Sequence, residues 1–270
     1  MRLLATVAMD APGHLSVTQA LLESVGAGRA PGAVRFERWD APALILGAGQ
    51  AAADADVDRC RERGIVIARR LAGGGAVSIS PDYLSFTIVV PKDDLLVRDD
   101  ILATYRRLGT AVEAALRSLD IPARLLSVEE ARTRPTPPLL RPFCYGGFSP
   151  HEVLVGERKL VGVAQVRRFG AVAYVAGLYR RLDPAEHVAG MAGDAATRAR
   201  RADLLGERMI GLETAGSPGT FEQFPATLVA ALSARCGMMP EREHLTDDER
   251  DRAMHLRSES YCRDAWTFRH

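Results

Sequence analysis

Two side chains, Cys144 and Lys159, have the residue types and spacing for nucleophilic chemistry. Cys144 lies in a segment rich in proline and glycine, whereas structural cysteines are usually buried among apolar residues. A lysine fifteen residues later can fold back beside the thiol, and its ammonium would favour the reactive thiolate. The pair predicts a cysteine nucleophile. An unreactive surface thiol is the alternative, because His151 is the only histidine close to Cys144 in the sequence.

The amino-acid composition draws further attention to Lys159. Of the 35 basic residues, 33 are arginines and only Lys92 and Lys159 are lysines. Where a positive charge alone is needed, this chain uses arginine, so a lysine directly after Arg158 indicates that the compact ammonium itself is required. A lysine that keeps a hairpin edge soluble is the alternative. Lys92 is interpreted as a surface residue.

The segment RRLAGGGAV at residues 69–77 is a candidate ligand-binding loop. Consecutive glycines let a backbone approach a ligand and direct its N–H groups at an anion or a carbonyl. The flanking arginines could add a planar fork for a phosphate or carboxylate. The glycine spacing matches neither a P-loop nor a dinucleotide fingerprint, and an ordinary turn between strands is the alternative. The predicted substrate-binding residues of this segment are Arg69, Arg70, Gly73, Gly74, Gly75, Ala76 and Val77.

The helices and strands that must position these residues do not alternate regularly. Periodicity predicts helices at 16–27, 54–63, 99–119, 221–236 and 246–257, and strands at 35–39, 43–47, 65–69, 85–90, 152–155, 159–166 and 171–179. Ser16 is expected to cap the first helix, and Thr246 with Glu249 to form a capping box. Residues 131–150 are expected to be irregular, and 184–220 to form helices and loops. This order favours an α+β fold with a mixed, largely antiparallel sheet flanked by helices.

Composition also excludes several classes of function. The 270 residues, 47% hydrophobic and 26% charged, suit a globular protein, and the net charge of +1 provides no global field for nucleic acid or a membrane. The four cysteines are too far apart for a zinc site or a disulfide framework. The apolar run at the N-terminus is too short for a signal peptide or a membrane helix. We therefore expect a cytoplasmic protein with no metal, no nucleic-acid partner and no membrane partner.

Five segments occur in a recognisable order along the chain: Met9-Asp10, LILGAGQ at 44–50, RRLAGGGAV at 69–77, ERKLVGVAQ at 157–165 and SYCRDAWTF at 260–268. Together they resemble the lipoate-protein ligase and octanoyltransferase family, the lipoyl half of the biotin/lipoyl protein ligase fold. The resemblance implies one catalytic domain of this type over residues 1–270, with a helical C-terminal portion from about residue 221. It also implies that Lys159 points at an acyl carbonyl. The further substrate-binding residues implied are Gly162, Val163, Ala164 and Gly177.

The resemblance implies two chemistries. Ligases of this family activate free lipoate with ATP and Mg²⁺, whereas octanoyltransferases pass an acyl group from a carrier thioester through a cysteine to a lysine. The residues in register with one transferase pattern are Cys144, Tyr145, Ser149, Glu152, Arg158 and Lys159. We therefore predict transfer of an octanoyl or lipoyl group without a cofactor. The predicted donor is acyl carrier protein, and the acceptor is a lipoyl-domain protein such as the glycine-cleavage H protein or a 2-oxoacid dehydrogenase E2. An ATP-dependent ligase and a non-catalytic acyl-binding protein are the alternatives.

Some positions depart from the family pattern. Ile79 replaces a usual histidine, Val163 replaces a serine, Ala176 replaces a histidine, and a polar residue expected around Tyr83 is missing. These changes remove polar groups from the expected pocket. Adenylate handling depends on such groups more than thioester exchange does, so the changes favour the transferase. A divergent member with another acyl substrate and a member that has lost catalysis are the alternatives.

Overall fold

Two β-sheets and the helices packed on them form the protein, which a computed structural model describes over residues 1–216 and 220–270. The strands are β1 (Arg2–Met9), β2 (Ala33–Trp39), β3 (Ala43–Leu46), β4 (Val66–Arg69), β5 (Val77–Ile79), β6 (Tyr83–Pro91), β7 (Ala123–Leu125), β8 (Val153–Val155), β9 (Arg158–Arg168), β10 (Ala171–Tyr179) and β11 (Glu241–Glu243). The helices are α1 (Ala11–Gly26), α2 (Val57–Glu62), α3 (Ile101–Arg117), α4 (Val128–Arg132), α5 (Pro184–Val188), α6 (Ala195–Arg208), α7 (Leu212–Ala215), α8 (Thr220–Cys236), α9 (Asp247–Leu256) and α10 (Asp264–Thr267).

The larger sheet has eight strands in the order β11-β1-β2-β6-β10-β9-β8-β7. Strand β1 pairs in parallel with β11 and β2, and the other pairs are antiparallel. The smaller sheet, β4-β3-β5, contains one parallel and one antiparallel pair. This arrangement confirms the predicted α+β class with a mixed, largely antiparallel sheet.

The large sheet is covered on both faces. Apolar residues of α3 and α8 pack on one face, where Phe36, Phe86 and Tyr174 are buried. Helix α1 packs on the other face against Ala33, Val89 and neighbouring residues. The small sheet carries a further buried cluster beside this second face. The space between the α1 face and the small sheet holds the candidate site described below.

Several features of the N-terminal half and the irregular region differ from the prediction, which did not include β1, β5, β7 or α4. Helix α1 begins at Ala11 instead of 16, because the side chain of Asp10 accepts the N–H of Gly13 and so caps the helix; Ser16 lies inside it. Strand β1 was not predicted, because its sequence does not alternate between apolar and polar residues. Its residues from Ala5 to Met9 are mostly exposed. Residues 131–150 include the end of α4 and two short 3₁₀ turns.

The C-terminal part matches the prediction more closely. Thr246 and Glu249 form the predicted capping box of α9. The region 184–220 contains α5, α6 and α7, and residues 217–219 lie outside the described part. Among the described residues, no helix combines the length and apolar character needed to cross a membrane.

A buried ion pair joins the two ends of the chain. Arg2 in β1 donates to both carboxylate oxygens of Glu249 in α9 at 2.7 and 2.8 Å, and both side chains are almost fully buried. Glu249→Gln is expected to lower the free energy of unfolding by about 3–5 kcal/mol in urea titrations, because the buried guanidinium loses its counter-charge. The matched control is Asp247→Asn, which breaks an exposed pair on the same helix and should change little.

The same pair predicts a pH dependence. Burial alone would raise the pKa of Glu249, but the hydrogen bonds from Arg2 and Thr246 outweigh it and hold the pKa below its usual value. The stabilisation is therefore complete above the unfolded-state pKa and is lost as the pH falls through the folded-state pKa. Glu249→Gln should lack the part of the stability loss at low pH that comes from protonation of Glu249. Equal acid sensitivity and stability in both proteins would contradict the account.

Candidate active site

Cys144 lies in a 3₁₀ turn that is attached to the end of the glycine segment. Its N–H donates to the carbonyl of Ala76 at 2.9 Å, and the N–H of Ala76 donates to the carbonyl of Pro142 at 2.7 Å. The partly exposed thiol borders both a largely apolar pocket and a more open mouth. An acyl chain in the pocket and a thioester in the mouth would meet at this residue.

Lys159 lies beside Cys144 and forms a buried ion pair with Glu152. The ammonium contacts the two carboxylate oxygens at 2.9 and 2.8 Å and donates to the backbone carbonyl of Cys144 at 3.1 Å. Both charged side chains are at most 2% exposed. Burial raises the pKa of Glu152, although the charge of Lys159 opposes this. The structure thus brings Cys144 and Lys159 together, with the ammonium on the backbone of Cys144; its contact with an acyl carbonyl stays a prediction.

The two arginines before the glycines bind the protein's own carbonyls. Arg69 is fully buried and donates to the carbonyls of Gly47, Gln50 and Thr267, which ties the C-terminal segment to β4. Arg70 donates from one nitrogen to the carbonyls of Gly73 and Gly75. These contacts shape the loop, and Arg70 also borders the apolar pocket.

The glycine loop lines the mouth with backbone. Gly73, Gly74 and Gly75 all border it. Arg70 holds two of their carbonyls, and within the described part of the chain their N–H groups donate to no carbonyl. Gly74 has a φ of 89°, a conformation that favours glycine. N–H groups presented in this way can stabilise a developing oxyanion.

Tyr145 and Tyr83 fill the space above two of the small residues in the sheet. A Cβ at Gly162 would lie 2.7 Å from the ring of Tyr145, and one at Gly177 would lie 2.1 Å from the hydroxyl of Tyr83. The Tyr145 hydroxyl donates to the carbonyl of Gly177 at 2.5 Å and accepts the N–H of Gly162 at 3.1 Å. The absence of side chains at 162 and 177 therefore makes room for tyrosines, and direct ligand contact at these two positions stays a prediction.

Gly177→Ala is expected to disturb this packing. The added methyl would overlap the Tyr83 hydroxyl, and overpacking of this kind costs about 1–3 kcal/mol. Thermal unfolding should show the loss, and acyl binding should weaken because the tyrosines border the pocket. Gly49→Ala is the matched control, since a Cβ there meets no atom within 4 Å. An unchanged melting temperature in Gly177→Ala would contradict this packing.

The apolar pocket lies between the large sheet, α1, the small sheet and the glycine loop. Of the predicted binding residues, Arg70, Val77, Gly162, Val163 and Ala164 border it. Ala76 is buried and forms an isolated parallel β-bridge with Phe143. Sequence reasoning missed several lining residues because they lie far apart along the chain. They are His14, Leu15, Glu37, Trp39, Tyr83, Ser85, Thr87 and Val175.

The family pattern predicts a pocket that has lost polar groups, but the pocket in the structure has polar groups at other positions. Ile79 does line the pocket as an apolar residue, but Glu37, Ser85 and Thr87 supply other polar groups. His151 has a φ of 65° and borders neither the pocket nor the mouth. Two other histidines, His14 and His187, are buried. Only His14 borders the apolar pocket.

The family described as the lipoyl protein ligase A/B catalytic domain matches residues 10–233. The chain belongs to this family. This confirms the predicted family and agrees with the fold of the large sheet and its flanking helices.

Relatives within the lipoyl protein ligase A/B family point towards the transferase. Octanoyltransferase LipM of Moorella thermoacetica is 34% identical over 173 residues, which cover 63% of this chain and 62% of that protein. Octanoyltransferase LipM of Symbiobacterium thermophilum is 26% identical over 278 residues, covering 99% of this chain and 98% of that protein. These similarities support the prediction of an octanoyl-transferring enzyme.

Solved structures of lipoate-protein ligases share the fold. Lipoate-protein ligase A bound with ATP has a TM-score of 0.78 at 24% identity, covering 99% of this chain and 98% of that one. The bipartite lipoate protein ligase of Thermoplasma acidophilum has a TM-score of 0.78 at 25% identity, covering 99% and 95%. The predicted biotin/lipoyl protein ligase-like fold is thereby confirmed.

Proposed function

We propose that the protein transfers an octanoyl group from a carrier thioester through Cys144 to a lysine of a lipoyl-domain protein, without a cofactor. The observation that carries the proposal is that Cys144 borders both the apolar pocket and the open mouth. The pocket would hold the acyl chain, and the mouth admits first the donor and then the acceptor. Acyl carrier protein is the proposed donor, and a glycine-cleavage H protein or a 2-oxoacid dehydrogenase E2 is the proposed acceptor.

The first half-reaction moves the acyl group onto the enzyme. The thiolate of Cys144 attacks the thioester carbonyl, and the carbonyl π electrons move onto oxygen to give a tetrahedral intermediate. The N–H groups of Gly73 to Gly75 border the mouth and are the donors available for that oxyanion. The Lys159 ammonium could contribute only by exchanging one of its present bonds to Glu152 or to the Cys144 carbonyl. Collapse of the intermediate breaks the bond to the carrier sulfur, which leaves as a thiolate and takes up a proton.

The second half-reaction releases the acyl group onto the acceptor. The lysine of the lipoyl domain attacks as a neutral amine, so its ammonium must first lose a proton. The amide bond forms while the bond to the Cys144 sulfur breaks, and the nitrogen gives up its second proton. The enzyme thiolate is restored, and the reaction is balanced without ATP.

The pocket accounts for binding of a medium chain. Burial of a methylene contributes about 0.8 kcal/mol, so the seven CH₂ and CH₃ groups of an octanoyl chain contribute about 5 kcal/mol at most. The apolar side chains that border the path include Ile45, Leu71, Val77 and Val175.

A choice of donors tests the transferase against the ligase. The enzyme is incubated with a lipoyl domain and either octanoyl-carrier protein without ATP, or free octanoate or lipoate with ATP and Mg²⁺. Acylation of the lipoyl domain is followed by mass spectrometry. We expect acylation from the thioester alone. Acylation only from the free acid with ATP, accompanied by pyrophosphate release, would replace the transferase by the ligase. Binding without acylation under either condition would indicate a non-catalytic acyl-binding protein.

A further inference from the structure

The strand register lays out the floor of the apolar pocket in two rows across the large sheet. In the first row Gly162, Gly177, Ser85 and Glu37 are successive cross-strand neighbours on β9, β10, β6 and β2. The second row, on the same strands and the same face, consists of Ala164, Val175, Thr87 and Arg35. Each row is thus apolar on β9 and β10 and polar on β6 and β2.

The first row is closed to a ligand at its β9 end. The Tyr145 ring occupies the space over Gly162, and the Tyr83 hydroxyl occupies the space over Gly177. The second row carries only small or branched apolar side chains at Ala164 and Val175, and both border the pocket. A chain that starts near Cys144 at β9 therefore crosses the sheet over Ala164 and Val175 towards Thr87.

The polar ends of the two rows form one buried network, here called the distal cluster: Arg35, Glu37, Ser85 and Thr87. Glu37 accepts hydrogen bonds from Arg35 at 2.6 Å, from Thr87 at 2.7 Å and from Ser85. All four side chains are at most 4% exposed. Burial alone would raise the pKa of Glu37, but the charges of Arg35 and His14 and the hydrogen bonds from the two hydroxyls together outweigh it and hold the pKa below its usual value.

The distance from β9 to the distal cluster matches an eight-carbon chain. Neighbouring strands lie about 4.8 Å apart, so the path from β9 over β10 to β6 is about 10 Å long. An extended hydrocarbon chain advances about 1.3 Å per carbon–carbon bond, the projection of a bond of about 1.5 Å, so the seven bonds of an octanoyl group span about 9 Å. The last methyl group then reaches Thr87 and Ser85.

We propose that the distal cluster sets the length limit of the acyl substrate at about eight carbons, by ending the apolar path with a buried network of charged and hydroxyl groups centred on Glu37. This inference rests on the proposed function, because it assumes that the pocket holds the acyl chain. Up to the eighth carbon, each added methylene displaces water from apolar surface and raises affinity about fourfold. A ninth or tenth carbon must press against Glu37 and its hydrogen-bond partners, so the gain stops there.

Two readouts over a series of chain lengths test this limit. Calorimetry measures binding of hexanoate, octanoate, decanoate and dodecanoate, and intact mass measures loading of Cys144 from the corresponding acyl-carrier proteins. For the unaltered protein we expect affinity and loading to rise to octanoyl and then to level off or fall. In Arg35→Met/Glu37→Ala, which removes both charges and opens space, the rise should continue to decanoate, up to about fifteenfold tighter than octanoate.

Two single variants, Glu37→Gln and Val175→Leu, test the length limit separately from the double variant. Glu37→Gln retains the size and hydrogen-bonding capacity of the side chain, so the limit at eight carbons should remain. Its free energy of unfolding should fall as in Glu249→Gln, because the buried Arg35 loses its counter-charge. Val175→Leu narrows the path before the distal cluster, so it should move the optimum towards hexanoyl even if the double variant does not fold. An unaltered protein that binds and loads dodecanoyl as well as octanoyl, or a Val175→Leu profile identical to it, would overturn the proposal.

The two readouts separate this inference from the function on which it rests. A length limit in the binding data without any acyl group on Cys144 would refute the transferase and leave the distal cluster as the end of the pocket. Loading of Cys144 with no preference for length would support the transferase and refute the role of the distal cluster.

Discussion

Cys144→Ala is expected to lower the rate of octanoyl transfer to a lipoyl domain at least about a thousandfold, because removal of a covalent nucleophile eliminates the acyl-enzyme route. The fold should persist. The N–H of residue 144 donates a hydrogen bond to the carbonyl of Ala76, and its own carbonyl accepts one from the Lys159 ammonium. Both contacts involve only the backbone of residue 144, so they remain in the variant. Steady-state transfer from octanoyl-carrier protein, with circular dichroism as a check on folding, measures the effect.

Cys262→Ser is the matched control for this prediction. Cys262 is a free, exposed thiol near the C-terminus and borders neither the pocket nor the mouth. Its replacement should leave the rate of transfer unchanged. Any acylation of the enzyme that disappears in Cys262→Ser is nonspecific reaction of an exposed thiol. If Cys144→Ala kept more than a tenth of the activity while Cys262→Ser lost it, the assignment of the nucleophile would be wrong.

The buried pair of Lys159 and Glu152 should show the second large effect. Glu152→Leu leaves an ammonium in the interior without its counter-charge, and Lys159→Met leaves the buried carboxylate with the N–H of Ser149 but without its counter-charge. Each single change is expected to lower the free energy of unfolding by about 3–5 kcal/mol. Urea unfolding of the two variants measures this loss.

The double variant Glu152→Leu/Lys159→Met separates stability from chemistry. Replacing a buried ion pair by apolar side chains of similar size is often neutral, so most of the stability should return. Transfer activity should not return, because the ammonium that holds the Cys144 carbonyl is absent. A transfer rate in the double variant equal to that of the unaltered protein would show that the ion pair contributes packing and no chemistry.

The chain order of the motifs predicts which segments lie at the candidate site, and the structure brings these segments together although they are far apart in the sequence. Cys144, Lys159 and the glycine segment 69–77 meet because the turn at Cys144 pairs with Ala76 and β9 follows within fifteen residues. The register of Glu152 with the transferase pattern also placed it near the site. Its role as the partner of Lys159 became visible only through the contact itself.

The far end of the pocket could not be predicted in this way. Glu37, Ser85 and Thr87 carry no motif, and they become neighbours only when β2 and β6 pair in a specific register. A buried glutamate in a strand such as Ala33–Trp39 is unusual, and that departure from apolar burial was the available signal. The small residues at 162 and 177 were recognised as significant, but the tyrosines that fill their space come from other elements.

Mass spectrometry of the intact enzyme after incubation with octanoyl-carrier protein, without acceptor and without ATP, tests the central claim most directly. The account predicts one octanoyl adduct per chain, located on Cys144 by peptide mapping, absent in Cys144→Ser and discharged when a lipoyl domain is added. An enzyme that acylates the lipoyl domain while never carrying the adduct, or that carries it equally in Cys144→Ser, would contradict the account.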